Sequence, residues 1–337
     1  MLKKLNTKKL LLIFVALILI VALTKIFDDK KGGRTFKEEL VNIDTSLVNV
    51  ILLYPSAEQH KEIKLTKSGE DYWTAQKENI SSEADTNYVM NVLASFVLLK
   101  PQRLAATEES RWKDYNVDDS LGTRVKLLSG EKTLLDIVVG KFSYNQMSRS
   151  GISYVRLYDD EDVYAVDGFL PMTVNQQFNE WRNKNILKGN KSDWNKISFS
   201  YPDSSFVLKM EDGRWTAKVQ WTFERAGGLE DSIATDSAKI EQYLNELSSL
   251  SNSSFVDDYK PNSSPLIWIT IEGNNMASPI TIKAFPADSV NQFIINSSFN
   301  SAAYFSAGKG NLSERIFKGK QNFLTEITVA EEKKGKK

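Results

Sequence analysis

Apolar and polar residues alternate in two places that resemble each other. Ile63 and Leu65 lead through "KSGED" to Trp73, and Phe206, Leu208 and Met210 lead through "EDG" to Trp215. A period of two predicts half-buried strands, and the polar interruptions predict hairpin turns. Each return strand carries Trp-Thr-Ala. Downstream of each comes an aspartate and a change of period: Val89, Val92, Leu93 and Phe96 after Asp85, and Ile240, Tyr243, Leu244 and Leu247 after Asp236. The offsets from the aspartate are identical, and the rhythm i, i+3, i+4, i+7 predicts an amphipathic helix. Asp85 and Asp236 are placed to accept from the first free backbone N–H groups as N-caps.

The match runs on. "WKDYNVDDSLGTRVKLLSG" (112–130) and "FVDDYKPNSSPLIWITIEG" (255–273) have the same length, and three strand-like stretches follow in each half. Each half closes on an aromatic-basic element, "WRNKNIL" from Trp181 and "FKGKQNFL" from Phe317. The pattern predicts an α+β chain with two tandem duplicated modules, 40–187 and 188–325. Each has mostly antiparallel strands and one main amphipathic helix. Trp73, Trp215, Asp85 and Asp236 mark the repeat, and Trp181 with Arg182 marks the junction.

Ahead of the modules the pattern is different. "MLKKLNTKK" precedes a charge-free run from Leu10 to Thr24, and Ile26 and Phe27 extend it. Residues 10–27 as a helix reach about 27 Å at ~1.5 Å per residue, against a hydrocarbon core of ~30 Å. This predicts a transmembrane helix, with 1–9 a cytoplasmic basic segment, 28–39 a linker and 326–337 a disordered tail. A cleaved signal peptide is the competing reading. No small-x-small site follows the apolar run, which favours an uncleaved anchor. The four leading lysines place the N-terminus in the cytoplasm and the bulk of the chain outside it.

Composition narrows the chemistry. With no cysteine there is no disulfide, thiolate nucleophile or thiolate metal site. The single histidine, His60 in "SAEQHKEIK", reads as a surface residue between strands, and no G-x-S-x-G stands in the chain. Lys and Arg balance Asp and Glu at 43 each, which leaves no basic face for nucleic acid. Asp159, Asp160, Glu161 and Asp162 form an acidic cluster that lacks the glycine of a calcium loop and reads as a solvated hairpin turn. No catalytic residue, cofactor or metal is expected. Trp221 and Phe223 lie in "VQWTFERAGGLEDSIA", an insertion of the second half, and are candidates for an exposed partner or ligand contact; local packing is the alternative.

The anchor, "YWTAQ", "ADTNYVMNVLASF", "KDYNV", "LLDIVVGK", "SYVRLY", "DVYAV" and "WRNKNIL" together resemble a bacterial family catalogued as domain of unknown function 4340. The resemblance implies an inner-membrane protein with its bulk outside the cytoplasm, associated with ABC-type transport systems, including those linked to gliding motility. It brings no catalytic residues. The second half departs from the pattern, with "IKAF" where the first has "VVG". The expected function is a non-enzymatic, membrane-anchored accessory protein with membrane partners such as ABC-type permease or ATPase subunits. An exported glycan- or peptide-binding module is the alternative, and a carboxylate-based hydrolase a third.

Overall fold

In a computed structural model, Leu17 and residues 39–69, 72–146, 149–220, 233–287, 293–308 and 311–325 are described. The anchor apart from Leu17, nearly all of the linker, the tail, and both Trp221 and Phe223 lie outside these residues. Among the described residues no helix is long and apolar enough to cross a membrane. The fold is a sheet-rich α+β with few helices, and every described strand pair is antiparallel.

The first half contains β1 (Val41–Asn42), β2 (Val50–Tyr54), β3 (Ile63–Lys67), β4 (Trp73–Lys77), β5 (Ile80–Glu83), β6 (Leu98–Leu99), β7 (Pro101–Ala106), β8 (Thr123–Ser129), β9 (Lys132–Asn145), β10 (Ser150–Leu157) and β11 (Val163–Asp167). Its helices are α1 (Thr86–Ser95), α2 (Trp112–Tyr115) and α3 (Leu170–Val174). Nine strands form one sheet in the order β5-β4-β3-β2-β8-β9-β10-β11-β7, and β1 pairs separately with β6. Alternate residues, among them Ile51, Leu53, Ile63, Leu65, Val125, Leu127, Ile137 and Val139, meet Val89, Val92, Leu93 and Phe96 in one core.

The second half contains β12 (Asn185–Lys188), β13 (Trp194–Ser200), β14 (Ser205–Glu211), β15 (Arg214–Gln220), β16 (Ser249–Ser251), β17 (Ile267–Gly273), β18 (Ile280–Pro286), β19 (Phe293–Ser297) and β20 (Asn300–Ser306), with helices α4 (Ser237–Leu247) and α5 (Leu312–Ile316). Seven strands are ordered β15-β14-β13-β17-β18-β19-β20, and β12 pairs with β16. Ile240, Tyr243, Leu244 and Leu247 enter a second core with Phe199, Phe206 and Phe323. The Phe199 and Phe206 rings stack at 4.3 Å, and the Tyr243 hydroxyl donates to the Ile316 carbonyl at 2.6 Å.

In both halves the tryptophan carbonyl is tied to the residue that precedes the helix cap. The Trp73 carbonyl accepts from the Ala84 N–H, and the Trp215 carbonyl from the Thr235 hydroxyl, so each tryptophan strand holds the residue just before a cap. Asp85 accepts from the Tyr88 N–H at 3.1 Å; Asp236 accepts from Ala238 and Lys239 at 2.9 and 3.2 Å. Trp73 is buried, whereas Trp215 is half-buried. β5 pairs along β4, whereas among the described residues β15 is met on that side by a single bridge, Ala217 with Ile233. Replacing Asp236 by alanine is expected to cost about 1 kcal/mol, as for other N-caps, with asparagine retaining most of it. Urea denaturation of the two variants checks this.

Two contacts lie at the expected module boundaries. The Asp85 N–H donates to the Trp181 carbonyl and the Asp236 N–H to the Phe323 carbonyl, both at 2.9 Å. Trp181 and Phe323, the latter six residues beyond Phe317, thus hold their caps in the same way. Each is fully buried at the end of a 3-10 turn beside its cap. Ile186 and Leu187, read into the first module, are buried in the second core, because β12 pairs with β16.

Candidate functional site

The outer face of the first sheet, opposite α1, is where three of the quoted sequence motifs meet. Val138 and Tyr154 point there, and with Ala106, Val163, Ala165 and Val117 they form a small separate apolar cluster. Helix α2 lies on this face and stops at Asn116, whose left-handed φ of 56° turns the chain back. The approach is close at Gly140, where an added Cβ would stand 2.2 Å from the Tyr115 carbonyl oxygen. Gly140→Ala is therefore expected to cost about 1–3 kcal/mol by overpacking, read as a lowered melting temperature.

Arg156 anchors this layer. It is 1% exposed, although it sits in the strand that carries "SYVRLY". Its Nη1 donates to the Tyr158 carbonyl at 2.6 Å and reaches those of Leu157 and Asp160 at 3.3 Å, and Nε donates to Val117 at 3.3 Å. The guanidinium lies 3.7 Å from the centre of the Trp112 ring, and the Trp112 indole donates to the Glu161 carbonyl at 2.9 Å. Burial pulls the Arg156 pKa below its ordinary value, while exposed Asp119, 4.0 Å away, and Tyr158 oppose that. A buried cation is tolerated here because carbonyl oxygens replace water around it.

On one side of Arg156 lies an aromatic-basic strip. The Tyr115 and Tyr154 rings are 4.8 Å apart, and the Tyr115 hydroxyl donates to Ala105 at 3.0 Å. Lys141 donates to the Asp114 carbonyl and sits 5.1 Å from the Tyr115 ring centre. Arg103 donates to the Tyr154 hydroxyl at 3.0 Å. The outer face of the second sheet has Tyr259, Phe285 and Tyr304 instead, rings clustered at 5.2–6.3 Å, with Phe285 where the first half has Gly140.

On the other side is a cleft of about 180 Å³ lined by Tyr54, His60, Asp118, Asp119, Gly122, Arg124, Val138 and Tyr158. Arg124 grips Asp136 with two bonds of 2.8 and 2.7 Å, which raises its pKa, and stacks 3.2 Å from the Tyr158 ring centre. Burial, then the bond to Glu62, pushes the Tyr54 phenol up to about 12. His60 is half-buried rather than a free surface side chain: Nδ1 is 3.3 Å from the Tyr54 carbonyl and Nε2 3.1 Å from that of Ser120. Gln59 and His60 both have left-handed φ, 55° and 59°, a strained arrangement that aims the ring across the cleft. Stacking surfaces and hydrogen-bonding groups suit recognition of a small polar ligand.

The other sequence-derived residues lie elsewhere. Trp221 and Phe223 are outside the described residues. Arg182, 3% exposed, crosses between the two halves: its Nη1 and Nη2 meet the Asp257 carboxylate at 3.0 and 2.6 Å, Nε bonds Ser82, and the guanidinium lies 3.7 Å from the Phe255 ring centre. The acidic turn is not wholly solvated, since Asp162 is 6% exposed and accepts from the Tyr164 hydroxyl. Among the described residues no group of three or more His, Asp or Glu could hold a metal ion. The sequence reading missed Arg156 and Lys141. The available signal was an arginine inside one apolar strand and a glycine-lysine step closing the apolar run of another.

A family model described as a domain of unknown function (DUF4340) matches residues 73–266. No curated protein and no solved structure matches the chain.

Proposed function

The chain belongs to the DUF4340 family, whose model spans more than half of it, and from that premise we propose a non-enzymatic, membrane-anchored accessory protein of an ABC-type transport or cell-surface machinery. The observation that carries this reading is the use made of the motif residues. The Tyr115 hydroxyl, Lys141 and Arg156 are all committed to backbone carbonyls, and Arg124 to Asp136. Groups held this way build a rigid surface for contact and leave little freedom for proton transfer. Residues 10–27 serve as the anchor, the N-terminus lies in the cytoplasm, and the bulk of the chain is exported. The matching order of seven strands in the two sheets, and the paired caps, support an origin by duplication of one module.

Crosslinking in intact cells followed by mass spectrometry tests this. Enrichment of permease or ATPase subunits is the expected result; recovery of no membrane protein overturns it. The cleft beside His60 favours one second reading, an exported glycan- or peptide-binding module. Binding of a cell-wall fragment that Arg124→Ala abolishes would select it.

A further inference from the structure

Strand β9 outruns its neighbour. β8 begins at Thr123 opposite Val139, so residues 140–145 extend past it while still pairing with β10 up to Asn145. Gly140 and Lys141 are covered by α2. Beyond them the direction of the backbone can be deduced. The Gly168 N–H donates to the Gly151 carbonyl at 3.0 Å, so the polar groups of Gly151 face β11. The residue opposite Gly151 is Tyr144, and that pair is then a non-hydrogen-bonded one. Tyr144, and Phe142 two residues before it, aim N–H and C=O toward the side that β8 vacates. Among the described residues no backbone hydrogen bond meets either there.

The same edge is apolar. Tyr144 is 53% exposed, Phe169 46% and Met172 57%. The Phe142 and Phe169 rings stack at 5.0 Å over Gly151, where a Cβ would come within 2.6 Å of Phe142. Helix α3 packs across β9 and β8, and Met172, one turn on from Phe169, stands on its exposed side.

We propose that this edge receives an extended segment of a partner protein, paired with the backbone of Phe142 and Tyr144, its alternate apolar side chains lying against Tyr144 and Phe169. Unpaired strand groups call for another strand, and exposed rings beside them call for apolar side chains at every second position. A second copy of this chain fits less well. Two such short edges would bury far less than the ~1,200–2,000 Å² of a stable interface. A partner in the same membrane needs only a weak contact, because tethering supplies a local concentration on the order of millimolar. That last step rests on the membrane-anchored reading.

The test places a photoreactive benzoylphenylalanine at Met172 of the full chain in intact cells. The expected product is an adduct with one stretch of another membrane-associated protein. Tyr144→Pro removes the outward N–H without touching the β9–β10 ladder and should cut the yield at least tenfold. Phe169→Asp, off the ladder, should do the same, and melting curves of both variants check folding. An adduct with a second copy or with lipid, or a yield unchanged by Tyr144→Pro, overturns the proposal. Adducts to membrane proteins from a probe at exposed Trp268 on the second sheet, with none from Met172, would remove this site and leave the accessory reading standing.

Discussion

Replacing Arg182 by alanine is expected to destabilise the protein by about 2–4 kcal/mol, somewhat below the cost usual for breaking a fully buried ion pair. Arg182 is buried, but the Asp257 side chain keeps 29% of its surface in water, which softens the loss. Removal leaves Asp257 without its fork, Ser82 and Asn179 without a donor, and the Phe255 ring without its cation. Thermal and urea unfolding measure the effect. Arg182→Lys should fall between, because an ammonium cannot make both carboxylate bonds in one plane. A double-mutant cycle with Asp257→Asn isolates the pair. Coupling near zero would mean that the fork is only a neighbour of the junction and not part of what holds it.

Arg156→Ala should cost more, about 3–5 kcal/mol, since it strips donors from several carbonyls in a dry layer and opens a void beneath Trp112. The volume-preserving Arg156→Met separates the two causes. It fills the void but leaves the carbonyls of Val117 and Tyr158 without their donor, so most of the loss should persist. Denaturant unfolding gives the magnitude, and a local loosening of the 108–122 segment should appear as faster amide exchange there. A methionine variant as stable as the parent would show that packing alone holds this layer.

How much of this was legible beforehand depends on distance along the chain. The helices of Thr86–Ser95 and Ser237–Leu247 could be read because cap and apolar stripe lie within a dozen residues of one another. The Asp212-Gly213 hairpin could be read for the same reason, and both residues adopt the left-handed φ that a two-residue turn demands. The partner of Arg182 could not, since Asp257 is 75 residues away and nothing local singles it out. That Phe323 supplies the carbonyl that meets Asp236 could not be read either, because aromatic-basic spacing carries no hydrogen-bond geometry. Of the candidate site, tyrosines, lysine and arginine were visible as letters. That they share one face became apparent only once β9, β10 and α2 were assembled.

The bond from each cap residue to Trp181 or Phe323 has a consequence for the order of folding. Helix α1 forms early in the chain, yet the ring that closes its core and the carbonyl that meets Asp85 arrive about a hundred residues later. A chain that emerges N-terminus first can therefore collapse around α1 but cannot seal that core until Trp181 is out, and the second core waits in the same way for Phe323. Each half is latched from its far end, so truncations that remove Phe323 should leave the second half open while the first stays closed.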